Sequence, residues 1–356
     1  MTNFKILSIN PGSTSTKIAV YDGETRIFQE NLKHTTEELS KFAKLTDQFD
    51  FRKDSILKIL KEKNIDLKSL KSVVGRGGLL KPMEGGTYVV SERMIEDLKI
   101  GIQGTHASNL GGLIASSIAQ TLNIKAYIAD PVVVDEMEAV AKISGHPQFP
   151  RKSIFHALNQ KAIAKLHCKE KGLDYKKVNL IVAHIGGGVS VGLHSMGKVI
   201  DVNNALDGDG PFAPERSGSL PMGSIIEACF SGQYSKDDIK KAIVGSGGLV
   251  AYFQTNDHQT LEEKAKKDKN IQLVLNALNY QISKEIGALS TVVNGKVDAI
   301  LLTGGIAYSK EVVNYIENKV KFIAPVHAYG GEDEMWALAG AALRVLKGEE
   351  KAKEYS

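Results

Sequence analysis

The stretch Leu180–Asn203, LIVAHIGGGVSVGLHSMGKVIDVN, decides the fold. Leu180 to Ile185 is an apolar run that stops at Gly186-Gly187-Gly188, Val189 to His194 returns, and Gly197 leads into a third run, Lys198 to Asn203. Short apolar runs separated by glycine turns predict three consecutive antiparallel strands. The N-terminal stretch Lys5–Leu32, KILSINPGSTSTKIAVYDGETRIFQENL, has the same design. Lys5 to Ile9 is predicted as a strand, Asn10 to Ser15 as a turn, and Thr16 to Asp22 and Thr25 to Leu32 as the returning strands. In Thr16 to Asp22, Ile18 and Val20 alternate with Lys17, Ala19 and Tyr21, as a half-buried strand requires. Gly12 and Gly23 are spaced as Gly186 and Gly197 are (23 − 12 = 197 − 186), and the third runs close at Leu32 and Leu206, again in step. The equal spacing predicts an internal duplication of a β-meander; two unrelated hairpins are the alternative.

Around the meanders, helical spacing predicts helices over 54–63 and 109–122, and Ala126 to Ala129 reads as a buried strand ending at Asp130. Val297 to Leu302 is a second buried run, followed by Thr303-Gly304-Gly305 and a helix from Ser309 whose core face is Val312, Val313, Ile316 and Val320. A closing helix carries Met335, Leu338, Ala339, Ala342, Leu343 and Leu346 on one face. Strands alternating with helices after each meander indicate an α/β fold. A chain of 356 residues exceeds one ordinary domain, so two domains are expected with the site in a cleft between them. The expected division is 1–152 plus a returning 333–356 against 153–332.

A composition of 42% hydrophobic and 24% charged residues is that of a globular chain, and no apolar run is long enough for a membrane helix. The opening MTNFKILSIN lacks the pattern of a secretory signal, which predicts residence in the cytoplasm. Cys168 and Cys229 have neither CxxC spacing nor a histidine pair beside them, so both are expected to be buried thiols rather than metal ligands or disulfide partners. A formal charge of +4 without a basic-aromatic run argues against nucleic acid as partner.

Neither a GxxxxGK[ST] loop nor a GxGxxG between strand and helix is present, so phosphate has to be held another way. Three glycine turns at strand ends offer it. The Asn10 to Lys17 turn combines backbone N–H groups around Gly12, the hydroxyls of Ser13, Thr14 and Ser15, and the Lys17 ammonium. Gly186, Gly187 and Gly188 leave a polyphosphate unobstructed. Gly304 and Gly305 precede a helix start, where N–H groups favour anions. Each is also readable as a plain tight turn.

Together the three turns resemble the phosphate and adenosine motifs of the sugar-kinase, Hsp70 and actin superfamily. Within it, INPGSTSTK, FHALNQKAIA, AHIGGGVSVG, APERSG and LLTGGIAYS are similar to segments of the acetate and butyrate kinase family, over nearly the whole chain. VVGRGG and GGTYVVSE resemble the butyrate branch rather than the acetate branch. The resemblance implies a two-domain actin-like ATPase fold with duplicated RNase H-like cores, the first domain on the acyl side and the second binding nucleotide. It implies transfer of the γ-phosphoryl group of ATP to butyrate with Mg2+ present, in a homodimer or higher oligomer that serves fermentation. Isobutyrate or acetate as acceptor, a sugar kinase, or a non-catalytic ATP-binding module stay open as alternatives.

By the same resemblance Arg76 and Arg216 are the active-site arginines, and His184, His156, Asp130 and, less directly, His106 line the site. Asn10, Ser13, Ser15, Lys17, Gly186, Gly187, Gly188, Gly304, Gly305 and Ile306 are expected to hold the nucleotide. Asp257, in Asn256 to Leu261, stands by the adenine, and Asn10 and Glu332 by the metal. Arginine suits the task because its planar fork grips carboxylate and phosphoryl oxygens while staying charged. No general base is required, since a carboxylate is ionised far above its pKa of about 4. Gly77 and Gly78 are expected to open room beside Arg76 for an acyl tail longer than acetate.

Overall fold

Ile6, Leu7, Ile9, Ile18 and Val20 are fully buried, and burial of these apolar residues is what makes the opening turns of chain a sheet. The computed structural model describes residues 4–356. Met1 to Asn3, the start of the stretch that lacks a secretory pattern, lie outside the described residues. Backbone proximity divides the chain into two units, Met1–Val134 with Asp333–Ser356 and Asp135–Glu332.

The first unit holds a six-stranded sheet of β1 (Lys5–Pro11), β2 (Ser15–Asp22), β3 (Thr25–Lys33), β4 (Leu70–Arg76), β5 (Thr87–Val89) and β6 (Lys125–Ala129), in the order β3-β2-β1-β4-β6-β5. Strand β1 runs antiparallel to β2, with Asn10 opposite Lys17, and parallel to β4, with Ile9 opposite Gly75. β6 lies parallel to β4, with Ala129 opposite Arg76. Leu7, Ile9, Val73 and Ile128 of the sheet share one core with Ile56 and Leu60 of the helix Phe49–Glu62 and with Leu110, Leu113 and Ile114 of the helix Asn109–Thr121.

The second unit holds β7 (Asn179–Ile185), β8 (Val189–Ser195), β9 (Lys198–Val202), β10 (Ala299–Gly304) and β11 (Val326–Gly330), in the order β11-β10-β7-β8-β9. Read from the third strand inward, β3-β2-β1-β4-β6 and β9-β8-β7-β10-β11 are the same order, with the same antiparallel meander and the same two parallel additions. The duplication is real, and β5 is an edge strand added to the first copy. In the second core, Ile181, Ala183, Ile300 and Leu302 pack with Leu278, Ile282 and Ile286 of the long helix Lys269–Val292.

Two expectations need correction, the end of one strand and the burial of one cysteine. The third run of the second meander stops at Val202, and Leu206 is 43% exposed. Asn203 is withdrawn from the strand because its buried amide accepts the Val191 N–H at 2.7 Å. Cys168 is buried, whereas Cys229 is exposed. Residues 135–152 pack with the second unit: Glu138 N–H donates to the Ile200 carbonyl at 3.0 Å and Arg151 pairs with Asp201 at 2.9 Å. The Glu136 carboxylate meets the Lys161 ammonium at 2.6 Å with both side chains buried, so the chain has joined the second core well before Ser153. No helix among the described residues is long and apolar enough to cross a membrane.

Candidate active site

In the first unit β1, β4 and β6 are mutually parallel, so their carboxyl ends share one edge of the sheet, the edge where α/β folds bind ligands. Asn10, Arg76 and Asp130 come from these ends. Asn10 Nδ2 donates to the Glu334 carboxylate, and the Arg76 guanidinium is ion-paired with the same carboxylate. Glu334 occupies the first turn of the helix Glu334–Leu346, where the helix dipole favours an anion. Lys17 stands opposite Asn10 across the hairpin, and the exposed Ser13 with the half-buried Ser15 lies in the turn between.

Asp130 is buried and has a left-handed backbone at φ 37°, rare for a non-glycine residue. Its Oδ1 accepts the Gly86 N–H at 2.7 Å and its own N–H donates to the Gly86 carbonyl at 3.0 Å. The carboxylate therefore fastens the loop before β5 to the end of β6. His106 Nδ1 lies 2.8 Å from Ser108 Oγ. Burial, helped by the nearby Arg76 charge, lowers the His106 pKa and keeps the ring neutral.

Gly77 and Gly78 do not leave open room beside Arg76. A Cβ at Gly77 would lie 2.6 Å from Pro131 Cβ, and one at Gly78 would strike the Asn109 side chain and come 2.8 Å from Leu98 Cδ2. Both glycines are imposed by close packing of the chain against these neighbours.

In the second unit His184 is the penultimate residue of β7 and is 1% exposed. Its Nδ1 lies 2.8 Å from Asn159 Oδ1, an acceptor, so Nδ1 carries a proton and donates it to that bond. The His156 ring stacks on it with centroids 3.8 Å apart and planes within 10°, and His156 Nδ1 lies 2.8 Å from Ser190 Oγ. Asn159 belongs to the helix Ala157–Lys171 that His156 precedes, so one helix start sets both imidazoles.

The Gly186 to Gly188 turn follows, closed by the Gly186 N–H donating to the Gly188 carbonyl at 3.0 Å. Arg216 lies directly against Gly188: a Cβ there would collide with the guanidinium. Arg216 Nη1 donates to the Ala205 carbonyl at 2.8 Å. Burial lowers the Arg216 pKa and the Glu215 carboxylate opposes that shift, which leaves the arginine charged. A buried imidazole, a side-chain-free turn and a guanidinium thus line one small region, suited to an anion that gains charge.

Gly304 closes β10 with φ 90°, where glycine alone is at ease, and exchanges two hydrogen bonds with Gly331, at 3.1 and 2.9 Å. Gly305 begins a 3-10 turn through Tyr308 that buries Ile306, and the helix Lys310–Val320 follows, capped by Ser309. Asp257 caps the helix His258–Ala265: its carboxylate accepts the Thr260 hydroxyl and, at 3.0 Å, the Thr260 N–H, and the hydroxyl first and the N–H second hold its pKa low. The next side chain, His258, is buried, and its Nε2 has no hydrogen-bond partner among the described residues. Glu332 reaches His184 instead of Asn10, with Oε2 3.8 Å from Nε2.

Glu334 and Asn159 are site residues that sequence reasoning missed. Glu334 passes in sequence as a first-turn helix acid, and its distance of 324 positions from Asn10 gives no local signal. Asn159 is legible only within FHALNQ, as the polar residue one turn past His156 on an otherwise buried helix start.

The family model described as the acetokinase family matches residues 147–327. Butyrate kinase 2 of Clostridium acetobutylicum is 58% identical over 353 residues, covering 99% of this chain and 99% of that protein. Butyrate kinase 1 of the same organism is also 58% identical over 353 residues, with 99% of each covered. Among solved structures, acetate kinase from Porphyromonas gingivalis superposes with a TM-score of 0.78 at 18% identity, over 96% of this chain and 100% of that one. Acetate kinase from Entamoeba histolytica gives 0.74 at 18% identity, over 97% and 98%. At these identities the two structures testify to a shared fold.

Proposed function

This chain belongs to the acetokinase family, and on that premise we propose that it moves the γ-phosphoryl group of ATP onto butyrate, giving butyryl phosphate and ADP. The observation that carries the chemistry is Arg216 lying against the glycine turn that follows His184. Phosphoryl transfer between two anions needs positioning and charge neutralisation more than covalent help. Arg216 and the backbone of the Gly186 to Gly188 turn serve the phosphoryl group, and Asn159 holds His184 through Nδ1 so that Nε2, when protonated, donates to it. Arg76 serves the acceptor carboxylate, which attacks as it stands. Ser13, Ser15 and Lys17 hold phosphate oxygens, Gly304, Gly305 and Ile306 flank the nucleoside, and His156 keeps the His184 ring in its plane.

Asn10 and Glu334 form an oxygen-bearing pair that fits magnesium, which takes one or two protein oxygens and keeps its waters and phosphate ligands. Among the described residues no group of three or more His, Cys, Asp or Glu could enclose a metal by themselves. Magnesium, when bound, neutralises the phosphate charge; Asn10 and Glu334 are the residues assigned to it, in preference to Glu332. The proposed setting is a cytoplasmic homo-oligomer that makes ATP during fermentation, a reading supported by resemblance.

The test is a series of kcat/KM values for acetate, propionate, butyrate and isobutyrate, with the acyl phosphate trapped by hydroxylamine. Butyrate is expected to lead. One methylene in an apolar pocket is worth only about 1 to 3 kcal/mol, so the margins over neighbouring acids are about ten- to a hundredfold. A lead for acetate would overturn butyrate as the substrate, and absence of any trapped product would overturn transfer to a carboxylate.

A further inference from the structure

Arg52 sits in the helix Phe49–Glu62 and is the largest fully buried side chain, with 0% exposure. Among the described residues it has no carboxylate partner. A buried guanidinium without a counter-ion is costly unless dipoles replace its water. Here they do. Nη1 donates to the carbonyls of Gly12 at 2.8 Å and Ser15 at 2.9 Å and to Thr16 Oγ1 at 3.1 Å. Nη2 donates to the Ser13 carbonyl at 2.9 Å, and Nε and Nη2 share Gln48 Oε1 at 3.0 and 2.9 Å. Thr16 Oγ1 is also 2.8 Å from His34 Nε2, a ring that burial and then the Arg52 charge keep neutral.

Every carbonyl that Arg52 collects belongs to the turn assigned to phosphate. In a trans peptide the carbonyl and the following N–H point in opposite directions. Drawing the Gly12 and Ser13 carbonyls inward therefore turns the Ser13 and Thr14 N–H groups outward. Both residues are exposed, and neither N–H makes a hydrogen bond within the described residues. The turn is an anion-binding concavity whose dipoles are aligned from behind by a cation.

We propose that Arg52 is a positioning residue for the phosphate-binding turn, fixing the Ser13 and Thr14 N–H groups toward the nucleotide and supplying a buried positive charge that the bound phosphates balance. It touches no substrate and acts through the backbone of 12–16. The proposal rests on the assignment of that turn to ATP made under Proposed function.

Arg52→Lys keeps the charge and removes the fork, and Gln48→Leu keeps the arginine and removes the acceptor that orients it. In both, kcat/KM for ATP is expected to fall about a hundredfold, the scale of a small misplacement of a binding group, while the KM for butyrate stays within about twofold. Thermal midpoints and the fraction of active enzyme, measured on the same preparations, separate this from damage to the fold. An Arg52→Lys or Gln48→Leu enzyme with unchanged kcat/KM for ATP overturns the proposal. So does a loss spread evenly over both substrates in proportion to the unfolded fraction. If the wild type forms no trappable acyl phosphate, the functional reading fails, and calorimetric binding of a non-hydrolysable ATP analogue to wild type and Gln48→Leu still decides the role of Arg52: equal affinity refutes it and weaker affinity in the variant supports it.

Discussion

Gly188 has no side chain and the Arg216 guanidinium fills the space where one would be. Two variants at this contact are expected to differ in kind. Arg216→Ala removes the charge placed against the transferred group and is expected to lower kcat/KM by about a thousandfold with ATP binding retained, the range found when a transition-state arginine is lost. Gly188→Ala leaves the charge and pushes it aside, for an expected loss of about a hundredfold. Steady-state kinetics with butyrate checks both, and near-normal turnover in either removes Arg216 from the chemistry. At this scale sequence reasoning has most to work with where a residue type has one demanding use, as an arginine has in the glycine-rich settings of Arg76 and Arg216. It slips where chemistry is assembled from afar. Glu332 and Glu334 are both plausible carboxylates in Gly331-Glu332-Asp333-Glu334, and only the fold sends one toward His184 and the other to Asn10 and Arg76. The Asp257 carboxylate caps a helix, a duty that Asp at this position takes from local backbone geometry.

The two meanders were legible as elements because strand length, glycine punctuation and alternation are local properties. Their ends were less so: β9 stops at Val202 since Asn203 spends its amide on Val191, a cross-strand bond invisible to periodicity. The division after Val134 has no local signal for a related reason. Nothing local in Val134 to Arg151 announces that Glu136 pairs with Lys161 of the helix Ala157–Lys171 and accepts the Val199 N–H of β9 at 2.8 Å. That pair ties the helix start carrying His156 and Asn159 to its sheet, and both partners are shielded from water, at 3% and 4% side-chain exposure. Lys161→Met strands a buried carboxylate and is expected to destabilise the protein by about 3 to 5 kcal/mol in urea unfolding. Adding Glu136→Gln to Lys161→Met should restore part of that loss, because the remaining group is then neutral. A single variant within about 0.5 kcal/mol of wild type would show that the pair does not hold the helix.

Across the whole molecule, histidines dominate the expected response to acid. His34 and His106 in the first unit, and His167, His194 and His258 in the second, all have pKa values lowered chiefly by burial, His194 well below its ordinary 6.5 and further opposed by the Lys161 charge. Each is neutral when folded and takes up a proton when unfolded, so below about pH 6.5 the unfolded chain binds more protons than the native one. Stability therefore rises with pH through the window that ends near 6.5 and is flat above it as far as these groups decide, each contributing a slope of at most about 1.4 kcal/mol per pH unit. Glu285 works in the opposite sense: burial raises its pKa, so the folded state keeps its proton above the ordinary 4.5 and loses stability as pH rises through that range. Five groups against one give the net direction. The urea midpoint is expected to fall between pH 7 and pH 5.5, and His194→Gln, whose ring otherwise bonds Tyr175 and Gln160, should fall less steeply while starting lower. A midpoint that holds constant or climbs over that interval would mean that the buried rings take up protons without unfolding, and the burial of His194 would then not be the determinant of its acid response.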